Sequence, residues 1–262
     1  MEVIIRPDVE TAVDLVVRVI VARIKEKPNA VLGLATGRTM ERVYGRLVES
    51  GVSFARCWAF NLDEYIGLPH SDPNSYRTYM NKHLFDHVDI DPANTHVPNG
   101  CATDLKQAAR DYEAKIVAAG GIDLQLLGIG EAGHIGFNEP LSSFMSRTRD
   151  KSLTPTTRAQ NAEMFGGDAD KVPKRALTMG VGTILDAREL VLLATGQAKA
   201  LIIAKAVEGP ITSMVSASAI QMHPNCKVVV DEGAAKEMQG CDYYNFVFAN
   251  EPEWDGFRQP EN

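Results

Sequence analysis

The sequence predicts an α/β protein, with a single domain built on a mostly parallel sheet and helices on both faces. Three observations support this prediction. Short apolar runs of strand length alternate with longer segments whose apolar residues recur at helical spacing. The strand segments are apolar at nearly every position, which is typical of strands buried on both faces of a parallel sheet. No Pro-, Gly- or Ser-rich linker long enough to divide domains interrupts the alternation.

The N-terminal half begins this alternation. Residues 2–6 are a short β-branched run that predicts a strand. Residues 8–24 carry apolar residues every three or four positions, and Asp8 is available as the helix N-cap. The pattern continues with predicted strands over 30–34 and 58–62 and predicted helices over 40–48 and 75–85.

The C-terminal half repeats the pattern. An amphipathic helix over 105–119 ends at two glycines, as helices often do. The segment 138–172 is rich in Ser, Thr, Arg and Asp, and long loops in compact domains are typical of lids or binding segments. The remaining predicted elements are strands over 122–127, 189–194 and 227–230 and helices over 198–207 and 213–221. We therefore expect one domain over residues 1–250 and a loose polar tail over 251–262.

The composition excludes several classes of function. The 262 residues include 27 Lys and Arg against 34 Asp and Glu, a net charge of −7, which argues against a nucleic-acid surface. No run approaches the ~18 consecutive apolar residues of a membrane-spanning helix. The first residues lack the cationic and apolar blocks of a secretory leader, and the four cysteines are scattered, as reduced thiols in a cytosol are. We expect a cytoplasmic protein that binds neither nucleic acid nor membranes.

A glycine-containing loop lies where the strand over 30–34 meets the next helix. Its residues are Thr36, Gly37, Arg38 and Thr39. Such a loop offers backbone N–H groups, hydroxyls and the positive end of a helix dipole to an anion. It lacks the Lys and the spacing of a nucleoside-triphosphate loop, so a monophosphate or a carboxylate fits better. An ordinary strand-to-helix turn with a threonine cap is the alternative interpretation.

Two adjacent acids, Asp63 and Glu64, follow the strand over 58–62. Ligands of open α/β sheets bind at the carboxyl ends of the strands. A carboxylate that leaves a buried strand there is partly desolvated, which raises its pKa toward the range of a general base. Neighbouring side chains on an extended segment point in opposite directions, so one acid is expected to be structural. Position alone does not say which.

A third motif over residues 128–140 reads GIGEAGHIGFNEP and contains a G-x-G-x-x-G pattern. We reject a dinucleotide site because that fingerprint needs a helix directly after it, and Gly136 and Pro140 argue against a long one. The predicted fold is Rossmann-like without a dinucleotide site. The loop instead presents His134 and Glu139, and a histidine beside a carboxylate is suited to proton transfer near neutral pH.

Other kinds of site are poorly supported. His83 and His87 lie four residues apart on a predicted helix, but no third ligand is suggested, so no metal is expected. There is no G-x-S-x-G elbow and no Cys–His pairing for nucleophilic catalysis. The three motifs together predict proton transfer on a phosphorylated small molecule.

The chain resembles the glucosamine-6-phosphate deaminase family in six phrases: LGLATGRT, FNLDEYIGL, GHIGFNEP, SRTRDKSL, ALTMGVGTIL and AVEGP. The resemblance extends from near residue 1 to about residue 248, and FNLDEYIGL with GHIGFNEP is specific to that family. The resemblance implies conversion of glucosamine 6-phosphate and water to fructose 6-phosphate and ammonia, a step of amino-sugar catabolism. It also implies a homohexamer that needs no cofactor.

The resemblance implies a role for each motif. His134 would open the pyranose ring, Asp63 would take the C2 proton, and Glu139 would orient and charge His134. The phosphate would bind the loop of residues 36–39, with Lys199 as a counter-charge. A further set matches the site where allosteric members bind N-acetylglucosamine 6-phosphate as an activator, and it comprises Ser142, Arg149, Lys151 and Tyr243. A basic cluster in a subunit contact is the alternative interpretation of that set.

Three departures from the family pattern bear on the substrate. Ala132 stands where some members carry Asp, which leaves Glu139, with Glu131 nearby, to support His134. Glu163 stands where better-studied members have an arginine on the phosphate, and Arg38 where they have a small residue. We therefore expect Arg38 to supply the charge for the phosphate.

Other functions stay open beside the deaminase. One is a related enzyme of another sugar phosphate, such as galactosamine 6-phosphate, and another is a 6-phosphogluconolactonase-like hydrolase. A non-catalytic sugar-phosphate sensor is the third. A sensor would have no use for a base at Asp63 or a proton relay at His134, so the sequence argues against it.

Overall fold

Seven parallel strands form the central sheet in the computed structural model, which describes residues 1–258. They are β1 (Glu2–Arg6), β2 (Val31–Leu34), β3 (Trp58–Asn61), β5 (Thr95–His96), β6 (Leu124–Leu127), β9 (Leu190–Ala194) and β10 (Cys226–Asp231). Their order across the sheet is β1-β10-β9-β6-β2-β3-β5. A second sheet is antiparallel, in the order β4-β8-β7, and consists of β4 (Asp63–Tyr65), β7 (Arg149–Ser152) and β8 (Arg175–Thr178).

Helices flank the central sheet, so the predicted α/β fold class with a mostly parallel sheet is confirmed. They are α1 (Val9–Glu26), α2 (Arg38–Glu49), α3 (Tyr76–His83), α4 (Leu105–Ala118), α5 (Pro155–Asn161), α6 (Val181–Leu185), α7 (Ala200–Val207), α8 (Glu232–Ala235) and α9 (Cys241–Asn250). None of the helices in residues 1–258 is long and apolar enough to cross a membrane.

The local sequence explains the first elements directly. Every residue of β2, β6 and β9 is buried, as their largely apolar sequences predict for a sheet covered on both faces. Asp8 caps α1 as predicted, because its Oδ1 accepts a hydrogen bond from the Thr11 N–H at 2.8 Å. The Thr11 hydroxyl returns the contact by accepting a bond from the Asp8 N–H at 3.3 Å.

The antiparallel sheet is the main difference from the predicted structure. The segment predicted as irregular, 138–172, contains β7 and α5, and β7 pairs with β8. On the other side of β8, Asp63 of β4 stands opposite Thr178. The predicted helix over 213–221 is a 3-10 helix, Ser216–Met222. The small sheet matters for the site because its strand β4 pairs with β8, and this pairing holds Asp63 in place just after the end of β3.

The start of the predicted tail packs on the domain rather than lying loose. Residues Pro252–Trp254 form a 3-10 turn, and Trp254 is 1% exposed. The Trp254 indole N–H donates to Glu2 Oε2 at 2.7 Å, next to edge strand β1. The rest of the predicted tail, 259–262, lies outside the described residues.

Candidate active site

The loop of residues 36–39 connects β2 to α2 and opens the N-terminus of that helix. Gly37 adopts a φ of +119°, a conformation that favours glycine, and it precedes the helix without a side-chain cap. The Tyr79 hydroxyl donates to the Gly37 carbonyl at 2.8 Å and holds the loop from below. The uncapped helix start leaves first-turn N–H groups available to an anion, as the sequence predicts for this loop.

Asp63 lies at the start of β4 and is 5% exposed. Burial, with Glu64 next to it, raises the pKa of the Asp63 carboxyl to about 8, against a hydrogen bond from the backbone of Phe137. Gly136 lies beside Asp63 with a φ of +53°, a conformation that favours glycine. A desolvated carboxylate with a pKa near neutrality is suited to take a proton from carbon.

The Glu64 carboxylate has a structural role. Its Oε1 accepts hydrogen bonds from the N–H groups of Tyr65 at 2.8 Å and Tyr76 at 3.0 Å, and its Oε2 accepts one from Arg77 at 3.1 Å. These bonds fix the N-terminus of α3 against β4. Of the two acids that the sequence could not tell apart, Glu64 is therefore the one that supports the fold.

Replacement of Glu64 by glutamine is expected to destabilise the fold. A glutamine has one acceptor oxygen and an amide that would face N–H donors, so at least one buried donor loses its partner. The expected loss is about 1–3 kcal/mol in the free energy of unfolding. Urea unfolding of the wild type and the variant measures it, and an unchanged transition midpoint would contradict the structural role.

His134 and Glu139 face each other in the loop after β6. His134 Nδ1 lies 3.7 Å from Glu139 Oε2, and neither atom has a hydrogen-bond partner within residues 1–258. Thr154 holds the other carboxylate oxygen, Glu139 Oε1, through its N–H at 2.9 Å and its hydroxyl at 3.2 Å. The predicted pair is thus brought together, and sequence reasoning missed Thr154 because it lies in a distant segment.

Burial and nearby carboxylates shift the pKa of His134 in opposite directions. Burial lowers the pKa of the imidazole, and the carboxylates of Glu139 and Glu131 oppose this shift. A histidine held neutral but close to an acid can accept a proton and be stabilised when it does. Glycine at 130 is required for this packing, because a Cβ there would lie 2.1 Å from His134 Nε2.

Phe137 lies between the predicted base and the predicted histidine. Its N–H donates to Thr178 Oγ1 at 3.1 Å, next to Asp63 on the paired strand, and the centroid of its ring lies 6.4 Å from that of His134. Its ring also lies 5.6 Å from Tyr65, centroid to centroid, within an aromatic cluster beside β4. No sequence pattern singles out this residue beyond its place in GHIGFNEP.

The predicted phosphate-binding cations lie in two different places. Lys199 donates from Nζ to the Ile129 carbonyl at 2.9 Å, which places it beside the loop that carries His134, and burial lowers its pKa. Arg38, the first residue of α2, forms an ion pair with Glu163. Two of the three departures that the sequence shows are therefore in contact with each other.

The predicted activator set is only partly assembled within one chain. Arg149 donates from Nη2 to the Ser142 hydroxyl at 3.1 Å and from Nη1 to Asn138 Oδ1 at 2.7 Å. Lys151 follows on the same strand, β7. Tyr243 is 67% exposed on α9, which packs against β1 at the far edge of the central sheet.

A family model places this architecture among known proteins. The model of glucosamine-6-phosphate isomerases and 6-phosphogluconolactonases matches residues 8–229 of the chain. The chain belongs to this family. The match covers the chain from α1 to the middle of β10, and it includes all the residues that the sequence predicts as catalytic.

Similar proteins within the family are named for one of its two activities. A glucosamine-6-phosphate deaminase of Hahella chejuensis is 49% identical over 251 residues, which is 94% of this chain and 95% of that protein. A solved structure described as a monomeric glucosamine-6-phosphate deaminase is 44% identical with a TM-score of 0.88, over 90% of this chain and all of that one. The 6-phosphogluconolactonase of Leishmania guyanensis is 21% identical with a TM-score of 0.71, over 90% of this chain and 97% of that one, so it shares the fold.

Proposed function

We propose that the protein converts glucosamine 6-phosphate and water to fructose 6-phosphate and ammonia. The observation that carries this proposal is Asp63, a buried carboxyl with a pKa of about 8 after a parallel strand, which lies beside Gly136 of the loop that holds the His134–Glu139 pair. The similarity to proteins named glucosamine-6-phosphate deaminase supports the same reaction.

The residues divide the chemistry into two stages, ring opening and isomerisation. Neutral His134 takes the proton of the O1 hydroxyl and returns it to the ring oxygen, which opens the pyranose. Glu139 stabilises the imidazolium formed between these steps. Asp63 then takes the C2 proton of the open-chain aldose, and the C1 oxygen takes a proton from the substrate's own ammonium group, which gives an enolamine. Protonated Asp63 returns its proton to C1. Water adds at C2 of the resulting iminium and gives one proton to the amino group, and ammonia leaves as the new C2 hydroxyl gives up its proton to form the ketone.

The sugar phosphate is proposed to bind at the loop of residues 36–39. Thr36, Gly37 and Thr39 would offer hydroxyls and N–H groups at the start of α2. Lys199 would add a positive charge from the side of the histidine loop. Arg38 is 76% exposed in its side chain, so it can turn its guanidinium toward a phosphate over the helix N-terminus.

Replacement of Arg38 by glutamine is expected to raise KM for the sugar phosphate more than it lowers kcat. A charge-assisted bond to phosphate is worth about 1.5–3 kcal/mol, which corresponds to a rise of about 10–10²-fold. Steady-state kinetics measures both constants, with Arg42→Gln on the same helix as the control. If KM is unchanged, the charge for the phosphate comes from elsewhere.

The reaction is tested by the release of ammonia and fructose 6-phosphate from glucosamine 6-phosphate. Galactosamine 6-phosphate and 6-phosphogluconolactone are assayed beside it, since each represents an alternative function. Turnover confined to the glucosamine compound supports the proposal. Preferred turnover of either other compound would replace the proposed reaction. Binding of glucosamine 6-phosphate, but not of glucosamine, without any turnover would favour the sensor.

We further propose a homo-oligomer, a hexamer by resemblance, with N-acetylglucosamine 6-phosphate as an activator between subunits. Ser142 and Arg149 are in contact, whereas Tyr243 lies on a helix packed against β1, so these groups would meet across a subunit boundary. Light scattering coupled to size exclusion, with and without the activator, tests the assembly. A monomer, as the 44% identical deaminase is described, would contradict it.

We also infer that the enzyme works in the cytoplasm. All four cysteines, Cys57, Cys101, Cys226 and Cys241, are free thiols, and the substrate is a phosphorylated metabolite. Fractionation of cells that express the protein tests the location.

A further inference from the structure

An ion pair joins the candidate phosphate loop to the segment that lies across from it. Arg38 is the first residue of α2, and Glu163 lies in the 3-10 helix Ala162–Phe165. The side chains are 76% and 67% exposed, so the pair lies at the protein surface, at the start of α2, rather than in the core. The Glu163 carboxylate is therefore paired with the Arg38 guanidinium to which the sugar phosphate is proposed to bind.

Glu163 is held in place by contacts of its own segment. Phe165 is buried and packs edge-on against Tyr65 of β4, with ring centroids 5.5 Å apart. In α5, which precedes the 3-10 helix, Gln160 accepts a hydrogen bond from the Glu131 N–H at 3.3 Å. These contacts anchor the segment to the base strand and to the histidine loop. The Arg38 pair is thus not needed to keep Glu163 near the loop.

We propose that Glu163 sets the affinity of the site by acting as an internal competitor of the substrate phosphate for Arg38. An exposed ion pair contributes little, about 0–1 kcal/mol. A phosphate dianion over a helix N-terminus carries more charge and accepts more hydrogen bonds than one carboxylate. The phosphate therefore displaces Glu163, whereas a sugar without a phosphate does not.

This inference rests on the proposed function, because it takes Arg38 as a phosphate ligand. Its consequence is selectivity for a dianionic ligand. A weak anion gains too little from Arg38 to displace a carboxylate that is already in position, whereas the cost to a phosphate dianion is the same whatever its sugar. Removal of the competitor should therefore tighten binding of any phosphate, including inorganic phosphate, provided that Arg38 is present.

The test is a double-mutant cycle of Glu163→Gln and Arg38→Gln. KM for glucosamine 6-phosphate and the Kd for inorganic phosphate by calorimetry are measured in the wild type, both single variants and the double variant. Glu163→Gln is expected to lower both constants by about two- to five-fold with Arg38 present. In the Arg38→Gln background the same change should have no effect. Both side chains are exposed, so all four proteins should fold.

The control is Glu41→Gln, which removes one negative charge from the first turn of the same helix. Glu41 faces His83, with Oε1 and Nε2 4.0 Å apart. It should leave both constants unchanged. Three results would overturn the proposal: no effect of Glu163→Gln, an equal effect in both backgrounds, or no phosphate binding by any of the four proteins. Binding of inorganic phosphate is read without turnover, so loss of the deaminase reaction alone would contradict only the proposed function.

Discussion

Replacement of Asp63 by asparagine is expected to lower kcat for glucosamine 6-phosphate about 10²–10⁴-fold, the contribution of a positioned general base. The amide keeps the shape of the side chain but cannot take the C2 proton. Deuterium at C2 measures the step directly, because proton abstraction by Asp63 should show an isotope effect in the wild type. Retention of activity within tenfold would mean that another group is the base.

The neighbouring acid provides the matched control. Glu64→Gln removes the same kind of charge one residue away, but its oxygens bond to the backbone of β4 and α3. We expect Glu64→Gln to be less stable yet active per folded molecule, and Asp63→Asn to be folded yet inactive. The reverse outcome would exchange the roles of the two acids.

The raised pKa of Asp63 also predicts how activity and stability depend on pH. Only the ionised carboxyl accepts a proton, so kcat/KM should rise with pH and level off above about 8. The folded pKa lies above the ordinary value of 3.8, so the folded state binds more protons than the unfolded state between these values. The Asp63 contribution to stability therefore falls as pH rises through this range. Asp63→Asn should become more stable than the wild type as the pH is raised.

Replacement of Glu139 by glutamine is expected to lower kcat/KM about 10–10³-fold. A nearby opposite charge shifts a pKa by about 1–3 units, and the imidazolium of His134 loses that support when the carboxylate becomes neutral. Thr154 can still bond to the glutamine, so the loop should stay in place. Steady-state kinetics on the ring-closed substrate measures the loss.

Glu131→Gln is the control for Glu139→Gln. Glu131 also raises the pKa of His134, but the effect of Glu139 is larger. We expect the Glu131 variant to lose clearly less activity. Equal losses would mean that both acids share the task that Ala132 leaves open.

The parallel sheet could be predicted because its strands carry a local signal. β2, β6 and β9 are apolar at nearly every position, and this reflects burial on both faces. The antiparallel sheet has no such signal. β7 reads RDKS, and it becomes a strand only because β8 lies beside it. The predicted helix over 213–221 was wrong in type for the related reason that spacing alone does not separate an α-helix from a 3-10 helix.

The sequence predicted which loops form the candidate site, but it did not predict which side chains in those loops contact each other. The glycine pattern around His134 and the acid pair after β3 indicated the candidate residues. The choice of Glu64 as the structural acid depends on where α3 begins, and that is set by tertiary packing. The contact between Arg38 and Glu163 joins positions far apart in the chain. No local pattern could have paired them.

The pairing of β1 with β10 has a consequence for synthesis of the chain. The two strands lie side by side in parallel register although more than 200 residues separate them, and Trp254, 252 positions after Glu2, also bonds to β1. A nascent chain therefore carries its first strand without that partner until residues 226–231 have left the ribosome. Such long-range pairing slows folding and leaves an unpaired strand edge exposed to other chains. We therefore expect chaperones that act during translation to bind the nascent chain mainly at β1.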